Sequence, residues 1–148
     1  MSKVVEIGIH KKRGDKPFNV DSAEAIKGKG LLNNRHFRDN AGEIYQITLI
    51  EIENIDHYNK ISNTKIPAVD FRRNIITSGI RLNELVNKEF YIGEVKVKAH
   101  DLCKPCAYLQ NKLNQNNIVK EFLSKGGLRC EILSSGKINV GDIIRKND

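Results

Sequence analysis

The stretch Val95-Lys96-Val97-Lys98-Ala99-His100 alternates strictly between apolar and polar side chains. A period of two puts successive side chains on opposite faces of an extended chain, so this pattern predicts a half-buried β-strand. The two valines and the alanine are expected to face the core, and both lysines and His100 to face outward. Phe90-Tyr91-Ile92-Gly93 leads into this strand.

Short apolar stretches elsewhere predict further strands, at residues 4–9, 45–50, 74–77, 128–133, 138–140 and 143–144. Short helices are predicted at residues 51–60, 82–86, 105–113 and 117–125, the last one ended by Gly126-Gly127. Residues 11–20 and 27–43 are rich in glycine, asparagine and charge without a clear period, which is typical of loops. The pattern predicts one mostly β (α+β) domain over residues 1–148, a β-barrel with short helices in the connections.

Composition and charge restrict the class of protein. The 148 residues contain 39% hydrophobic and 29% charged side chains, as in globular proteins that bury a core. No apolar run approaches the roughly 20 residues that span a bilayer, and Glu6 stands where a signal peptide would be apolar. We therefore expect a cytoplasmic protein without a membrane partner. The net charge of +7 favours anionic partners such as nucleic acid, phosphorylated cofactors or acidic proteins.

The most specific chemistry lies in Cys103-Lys104-Pro105-Cys106. Proline favours the first position of a helix, so Cys106 is predicted in a first helical turn. The helix dipole and the neighbouring Lys104 would lower the pKa of that thiol. A thiolate in this place would act as a nucleophile, a sulfur carrier or a soft metal ligand.

Other interpretations of the cysteines stay open. Cys106, Leu109 and Leu113 fall on one helical stripe, which suits an inert core cysteine equally well. His100, Cys103, Cys106 and Cys130 have the ligand types of a zinc site, although the apolar alternation around Cys130 predicts that it faces the core. A thioredoxin-like redox role is disfavoured, because the strand and helix context of that fold is missing.

Arginines occur in two motifs. Gly30-Leu31-Leu32-Asn33-Asn34-Arg35-His36-Phe37 combines backbone amides with a guanidinium and an imidazole, and Phe71-Arg72-Arg73-Asn74 adds two guanidiniums at the start of a strand. Guanidinium groups pair bidentately with phosphate or carboxylate, so these arginines are candidates for anion binding. In a regular strand Arg72 and Arg73 would point to opposite faces, and only one would reach a ligand. Taken alone, each arginine, like His36, is more often a solvated or structural side chain.

In their order along the chain, these motifs resemble the MOSC domain, the C-terminal module of molybdenum cofactor sulfurase. The shared features are residues 30–37, 46–50 and 72–80, Pro105-Cys106, and Gly126-Gly127-Leu128-Arg129 followed by residues 136–142. The resemblance extends over about residues 4–144. Asn33-Asn34 stands where the family commonly has Gly-Asp, a departure that bears on a loop turn or a hydrogen bond.

The resemblance implies a fold similar to the β-barrel domain of pyruvate kinase and the binding of molybdenum cofactor, an anionic pterin that carries a phosphate. It implies that Cys106 carries sulfur or ligates molybdenum, with Cys103 as a second catalytic candidate that matches small stand-alone members. The cofactor-binding candidates are Arg35, His36, Arg72, Arg73, Asn74 and, beside the cysteines, Lys104. No pyridoxal-phosphate-binding domain fits into 148 residues beside the MOSC part, so a separate sulfur donor and a molybdoenzyme acceptor are expected.

A non-catalytic basic module for RNA or an acidic protein is the alternative from another class. Only 6% of the residues are aromatic and tryptophan is missing, so the chain offers no clustered platform on which bases could stack. A nucleic acid partner is therefore not expected. A salt titration with an oligonucleotide separates the two hypotheses, because counterion release gives a steep slope.

Overall fold

The computed structural model describes residues 1–12, 14–104, 107–115, 117–122 and 124–147. Within these residues the strands are β1 (Lys3–Ile9), β2 (Phe18–Val20), β3 (Ser22–Ile26), β4 (Gly30–Leu31), β5 (Ile47–Glu51), β6 (Ile75–Ser78), β7 (Glu89–Ile92), β8 (Val95–Leu102), β9 (Leu128–Ile132), β10 (Gly136–Asn139) and β11 (Ile144–Lys146). The helices are α1 (Ile52–Ile61), α2 (Ala107–Lys112) and α3 (Ile118–Glu121), with 3₁₀ turns at Ala68–Phe71 and Leu82–Leu85.

Eight of the described strands form one sheet in the order β11-β7-β8-β9-β5-β6-β1-β2, and β10-β3-β4 form a second sheet. All described pairs are antiparallel except β5 and β6, which run parallel because α1 connects them. The large sheet curls until β1 meets the segment that leads into β11. There, Val4 N–H donates to the carbonyl of Asp142, and Ile144 N–H donates to the carbonyl of Ser2. The result is the β-rich, barrel-like fold with short helices that the strand pattern predicts.

The curled sheet separates two hydrophobic cores. Leu49 of β5 and Ile75 of β6 face the interior of the curl with the apolar side chains of β7, β8 and β9. The next residues along these strands, Ile50 and Ile76, face the other side and pack against α1, α2 and α3. β5 therefore has apolar side chains on both faces, and Thr48 is its polar residue on the helix side.

The prediction of loops at residues 11–20 and 27–43 is wrong where β2 and β4 occur, and β3 lies between them in residues for which the sequence predicts no element. β2 is an edge strand with a largely exposed pattern, held by backbone pairing to β1. β3 buries only two alanines, whose small side chains give a weak apolar signal. The prediction that Gly126-Gly127 ends a helix is also wrong, because α3 ends at Glu121 and the glycines lead directly into β9.

No helix among the described residues has the length and apolar character needed to cross a bilayer.

Candidate functional site

A cavity of about 180 Å³ opens on the helix side of the large sheet, lined by residues at the end of β1, in β5, in β9 and in the segment that precedes β6. Thr48 of β5 and Arg129 of β9 are direct cross-strand neighbours and form part of its wall. Leu109 of α2 contributes an apolar side chain. The remaining lining residues are Gly8, Ile9, His10, Pro17, Asn34, Arg35, His36, Tyr45, Arg72, Arg73 and Asn74.

The loop with Arg35 and His36 is fastened to the end of β1. Asn33 adopts a left-handed backbone conformation, with φ of 73°, and asparagine tolerates this conformation better than most residues other than glycine. The side-chain carbonyl of the buried Asn34 accepts a hydrogen bond from the backbone N–H of His10 at 3.0 Å. In return, Arg35 N–H donates to the carbonyl of His10 at 2.7 Å. Asn33-Asn34 thus supports both a left-handed turn and a hydrogen bond where the family commonly has Gly-Asp.

Arg72 reaches the same region from the opposite side. It follows the 3₁₀ turn Ala68–Phe71 in a left-handed conformation, with φ of 66°. Its Nη1 lies 3.3 Å from Nδ1 and 3.0 Å from Nε2 of His10. Because one atom cannot lie in line with the lone pairs of both ring nitrogens, the guanidinium lies over the imidazole face. Burial, followed by the charge of Arg72, lowers the pKa of His10, so this imidazole is neutral at pH 7.

Arg73 also lines the cavity, so the prediction that Arg72 and Arg73 diverge is wrong. The two residues precede β6 and are not part of a regular strand, which removes the expected alternation. Arg73 Nε donates to the carbonyl of Gly126 at 2.9 Å. A side chain at Gly126 would meet the carbonyl oxygen of Cys103 at 2.5 Å, so glycine is needed where this arginine crosses the backbone.

Asn74 joins three strands beside the cavity. Its side-chain carbonyl accepts from the backbone N–H of Thr48 at 3.1 Å and lies 3.2 Å from the Thr48 hydroxyl. Its side-chain NH₂ donates to the carbonyl of Gly8 at 3.1 Å. These bonds hold β1 and β5 at a fixed distance from the start of β6, so the amide of Asn74 sets the shape of the cavity wall.

The cavity is strongly cationic. Four of its described lining residues are arginines, namely Arg35, Arg72, Arg73 and Arg129. The described lining contains no aspartate or glutamate. Burial, followed by the charges of Arg35, Arg38 and Arg129, lowers the pKa of His36 to about 4. The ring centroid of His36 lies 6.1 Å from that of Tyr45. At neutral pH the positive charge of the cavity therefore comes from guanidinium groups, with His36 as an uncharged neighbour.

We expect His36 to titrate far below an ordinary histidine. Its imidazole should stay neutral on acidification until about pH 4, whereas in the unfolded chain it takes up a proton near pH 6.5. The unfolded state thus binds more protons between these values, so His36 contributes a loss of stability as pH falls from about 6.5 to 4. An anion in the cavity should raise the His36 pKa. NMR titration of its ring carbons, with and without phosphate, measures both effects, and a midpoint near 6.5 in anion-free protein would contradict them.

Two of the other candidates, Cys103 and Lys104, do not belong to the described lining of the cavity. Cys103 is 2% exposed, and its N–H donates to the carbonyl of Gly127. Lys104 is exposed and does not belong to the described lining of the cavity. Cys106 lies outside the described residues, as does Pro105. Cys106 stands directly before α2, whose Leu109 lines the cavity.

The zinc set of His100 with the cysteines does not assemble among the described residues. Ala99 and its cross-strand neighbour Cys130 face the core, as the alternation predicted, and burial raises the pKa of Cys130 well above its usual value. His100 lies at a β-bulge on the other face, with Nε2 2.8 Å from Oε1 of Glu131. The two proposed ligands therefore lie on opposite sides of one sheet.

His10 and Arg129 belong to the cavity but were not among the candidates. Arg129 had a usable signal, because Leu128 and Cys130 were expected to face inward and the residue between them outward. His10 had none, since it lies between the strand predicted at residues 4–9 and the loop predicted at residues 11–20. Its place in the site depends on Asn34 and Arg72, which are distant in sequence.

Comparison with known proteins agrees with this architecture. YiiM from Geobacillus stearothermophilus has 16% identity and a TM-score of 0.82, over 100% of this chain and 76% of that one. The YuaD protein from Bacillus subtilis has 19% identity and a TM-score of 0.78, over 97% of this chain and 94% of that one. YiiM from Escherichia coli has 16% identity and a TM-score of 0.72, over 100% and 70%. A search of curated proteins gives no significant match.

The sequence itself carries the decisive similarity. The family model described as MOSC domain matches residues 34–145, which include Arg35, Arg72, Arg73 and Arg129 and thus all four arginines of the cavity. The match extends over well more than half of the chain, and the curled sheet with its short helices has the MOSC-type barrel fold. The chain belongs to the MOSC domain family.

Proposed function

We propose that this protein binds molybdenum cofactor, or a related anionic pterin, through the arginine-lined cavity and carries sulfur on Cys106. The observation that supports this most directly is the convergence of Arg35, Arg72, Arg73 and Arg129 on one cavity whose described lining contains no acid. Such a concentration of positive charge is costly unless an anion neutralises it. Because the chain belongs to the MOSC family, we infer that this anion is the phosphate-bearing cofactor.

The residues of the cavity suit a phosphate group. Guanidinium forks donate paired hydrogen bonds to phosphate oxygens, and Arg35 and Arg72 approach from two different segments of the chain. The neutral His36 and the Tyr45 hydroxyl offer further hydrogen-bonding groups without adding charge. A volume of about 180 Å³ is below the range of roughly 300–1,000 Å³ that encloses a whole small molecule. The cavity therefore fits the anionic end of the ligand and leaves the rest at its mouth.

When bound, the cofactor supplies the molybdenum atom, which accepts a soft thiolate or sulfide ligand. Cys106 stands three residues before Leu109, and three residues of extended chain reach at most about 11 Å. The cysteine is thus within reach of the cavity wall by connectivity alone. Cationic groups beside a thiol favour its thiolate, which is the form that either carries sulfur or ligates the metal.

Loading of sulfur on Cys106 requires no oxidant. The Cys106 thiolate attacks the outer sulfur of a persulfide on a donor protein, a new S–S bond forms on Cys106, and the S–S bond of the donor breaks. The donor leaves as a thiolate and takes up a proton from water. A cysteine desulfurase is the class of protein that presents such a persulfide, consistent with the expected separate donor.

Removal of Arg35 tests the cavity. Among the described residues its side chain has no hydrogen bond or ion pair, so Arg35→Ala should leave the fold intact. A charge-assisted hydrogen bond contributes about 1.5–3 kcal/mol, so the variant should bind inorganic phosphate, and cofactor released anaerobically from a molybdoenzyme, roughly 10- to 100-fold more weakly. Isothermal titration calorimetry measures both.

The matched control is Arg81→Ala, which removes an exposed arginine outside the cavity and should bind like the original protein. An equal loss of phosphate affinity in both variants would mean that phosphate binding depends only on the net charge of the protein. An RNA oligonucleotide that binds with a steep salt slope and displaces phosphate would instead favour the basic-module alternative.

A further inference from the structure

A second group of polar side chains lies beside the cavity, on the outer face of β8 and β9. It consists of Glu43, His100 and Glu131, whose ligand-type atoms all lie within 4.8 Å of one another. His100 Nε2 is 2.8 Å from Oε1 of Glu131 and 3.7 Å from Oε2 of Glu43. We propose that Glu43, His100 and Glu131 form a binding site for a divalent transition metal of the zinc class.

The distances are those of a site that can close on an ion. Zinc takes imidazole nitrogen and carboxylate oxygen at roughly 2.0–2.2 Å, so neighbouring ligands in a tetrahedral site lie about 3.3–3.5 Å apart. The two distances from His100 Nε2, 2.8 and 3.7 Å, lie on either side of that range. The carboxylate oxygens of Glu43 and Glu131 lie within 4.8 Å of each other, and rotation of the two glutamate side chains would bring them to the spacing of a tetrahedral site. Water would fill the fourth position.

Two of the three proposed ligands lie on paired strands, and the third lies in a turn. His100 and Glu131 belong to β8 and β9, which are paired in the middle of the large sheet. The β-bulge between Ala99 and Asp101 lies at His100 and directs its side chain away from the core. Glu43 comes from the turn before β5 and is the most exposed of the three, with 62% of its side chain accessible. Glu43 is thus the ligand on the solvent side of the site.

Charge also favours a cation at this place. Two carboxylates near one imidazole give a net negative group on a protein whose overall charge is +7. Lys98 is the cross-strand neighbour of Glu131, but among the described residues no ion pair joins them. The only cation-capable partner within salt-bridge distance of these carboxylates in the described structure is His100 itself.

A metal ion in this site would lie outside the arginine cavity but would affect the position of a segment that lines it. Glu43 and Tyr45 share one turn, and Tyr45 lines the cavity. The carbonyl of Ile44, between them, accepts a long hydrogen bond of 3.5 Å from Arg129 Nη1. Glu131 and Arg129 are alternate residues of β9 on the same face. The ion would therefore fasten the turn of Glu43 to the sheet.

The test uses chelator-treated full-length protein and zinc or cobalt as the probe. One equivalent of Zn²⁺ should bind and raise the melting temperature, and His100→Ala and Glu131→Gln should each weaken binding at least roughly tenfold. His57→Ala, which removes an exposed histidine of α1, and Glu24→Gln, which removes an exposed acid of β3, should bind like the original protein. The Co²⁺ complex should lack a thiolate-to-metal absorption band, because the site has no sulfur.

Two outcomes would overturn the proposal. Absence of stoichiometric binding would mean that the three residues form an ion pair only. Zinc binding that survives His100→Ala but disappears in Cys106→Ser would assign the ion to the thiols. Neither outcome affects phosphate binding by the cavity, since Arg35→Ala tests that separately.

Discussion

Gly127→Ala should destabilise the protein more than any other single methyl group added to its glycines. A Cβ at this position would overlap the backbone carbonyl oxygen of Leu49 and lie 3.3 Å from the Cα of Ile50. Backbone atoms of a paired strand cannot move aside as a flexible side chain would. Gly127 also has a φ of 104°, which side-chain-bearing residues rarely adopt. Together these effects should lower the free energy of unfolding by roughly 4 kcal/mol or more, measured by urea denaturation.

Gly141→Ala separates the two causes. Gly141 has a comparable φ of 94°, but a Cβ there would meet no atom within 4 Å. This variant should therefore lose only about 1 kcal/mol, from backbone strain alone. If both variants lost the same amount, the contact with Leu49 would have no energetic role, and the close approach of β9 to β5 would be softer than its geometry indicates.

The Gly127→Ala substitution should also impair anion binding. The carbonyl of the preceding Gly126 accepts the hydrogen bond from Arg73 Nε, and the carbonyl of Gly127 accepts from Cys103 N–H. A displaced backbone at these positions moves one arginine of the cavity and the start of the cysteine segment together. Any Gly127→Ala protein that still folds should bind phosphate more weakly, whereas Gly141→Ala should bind it normally. The glycine pair connects the stability of the barrel to the geometry of the site.

The sequence predicts the barrel strands well where side chains carry the signal. β8 alternates apolar and polar residues, and the structure buries Val95, Val97 and Ala99 as expected. β2 and β4 escape prediction because they have only three and two residues and are held by backbone pairing to β1 and β3. A strand of this kind depends on partners that lie elsewhere in the chain, which no local pattern contains.

For the candidate site, residue types are easier to predict than directions. Arg35, Arg72 and Arg73 are recognisable from their motifs, and all three line the cavity. Their convergence is not predictable, because Arg72 leaves the regular strand geometry with a φ of 66° and thereby turns toward His10. Asn74 shows the opposite case: its motif suggested a ligand contact, and its amide is engaged in joining β1, β5 and β6.

Cys106→Ala should abolish sulfur transfer while leaving phosphate binding by the arginine cavity close to that of the original protein. The expected loss of sulfur transfer is complete, because neither of the other two cysteines offers an equivalent thiol. Cys103 is 2% exposed, and Cys130 is fully buried with a raised pKa. A buried thiol does not reach a donor persulfide, and the raised pKa of Cys130 also keeps that thiol protonated. The experiment incubates the protein with a cysteine desulfurase and free cysteine, and detects one added sulfur atom on Cys106 by mass spectrometry of its peptide.

The matched variants decide what such a loss means. Cys106→Ser keeps size and polarity but not the soft nucleophile, so it should fail in the same way as alanine. Cys103→Ser replaces a buried sulfur by a hydroxyl and should cost stability, yet its folded fraction should still load Cys106. Sulfur recovered on Cys103 in the Cys106→Ala protein, at the original rate, would contradict the assignment and would require the core around Cys103 to open. Full loading in the Arg35→Ala protein, together with weakened phosphate binding, is the remaining expectation, because the cavity holds the acceptor whereas the cysteine holds the sulfur.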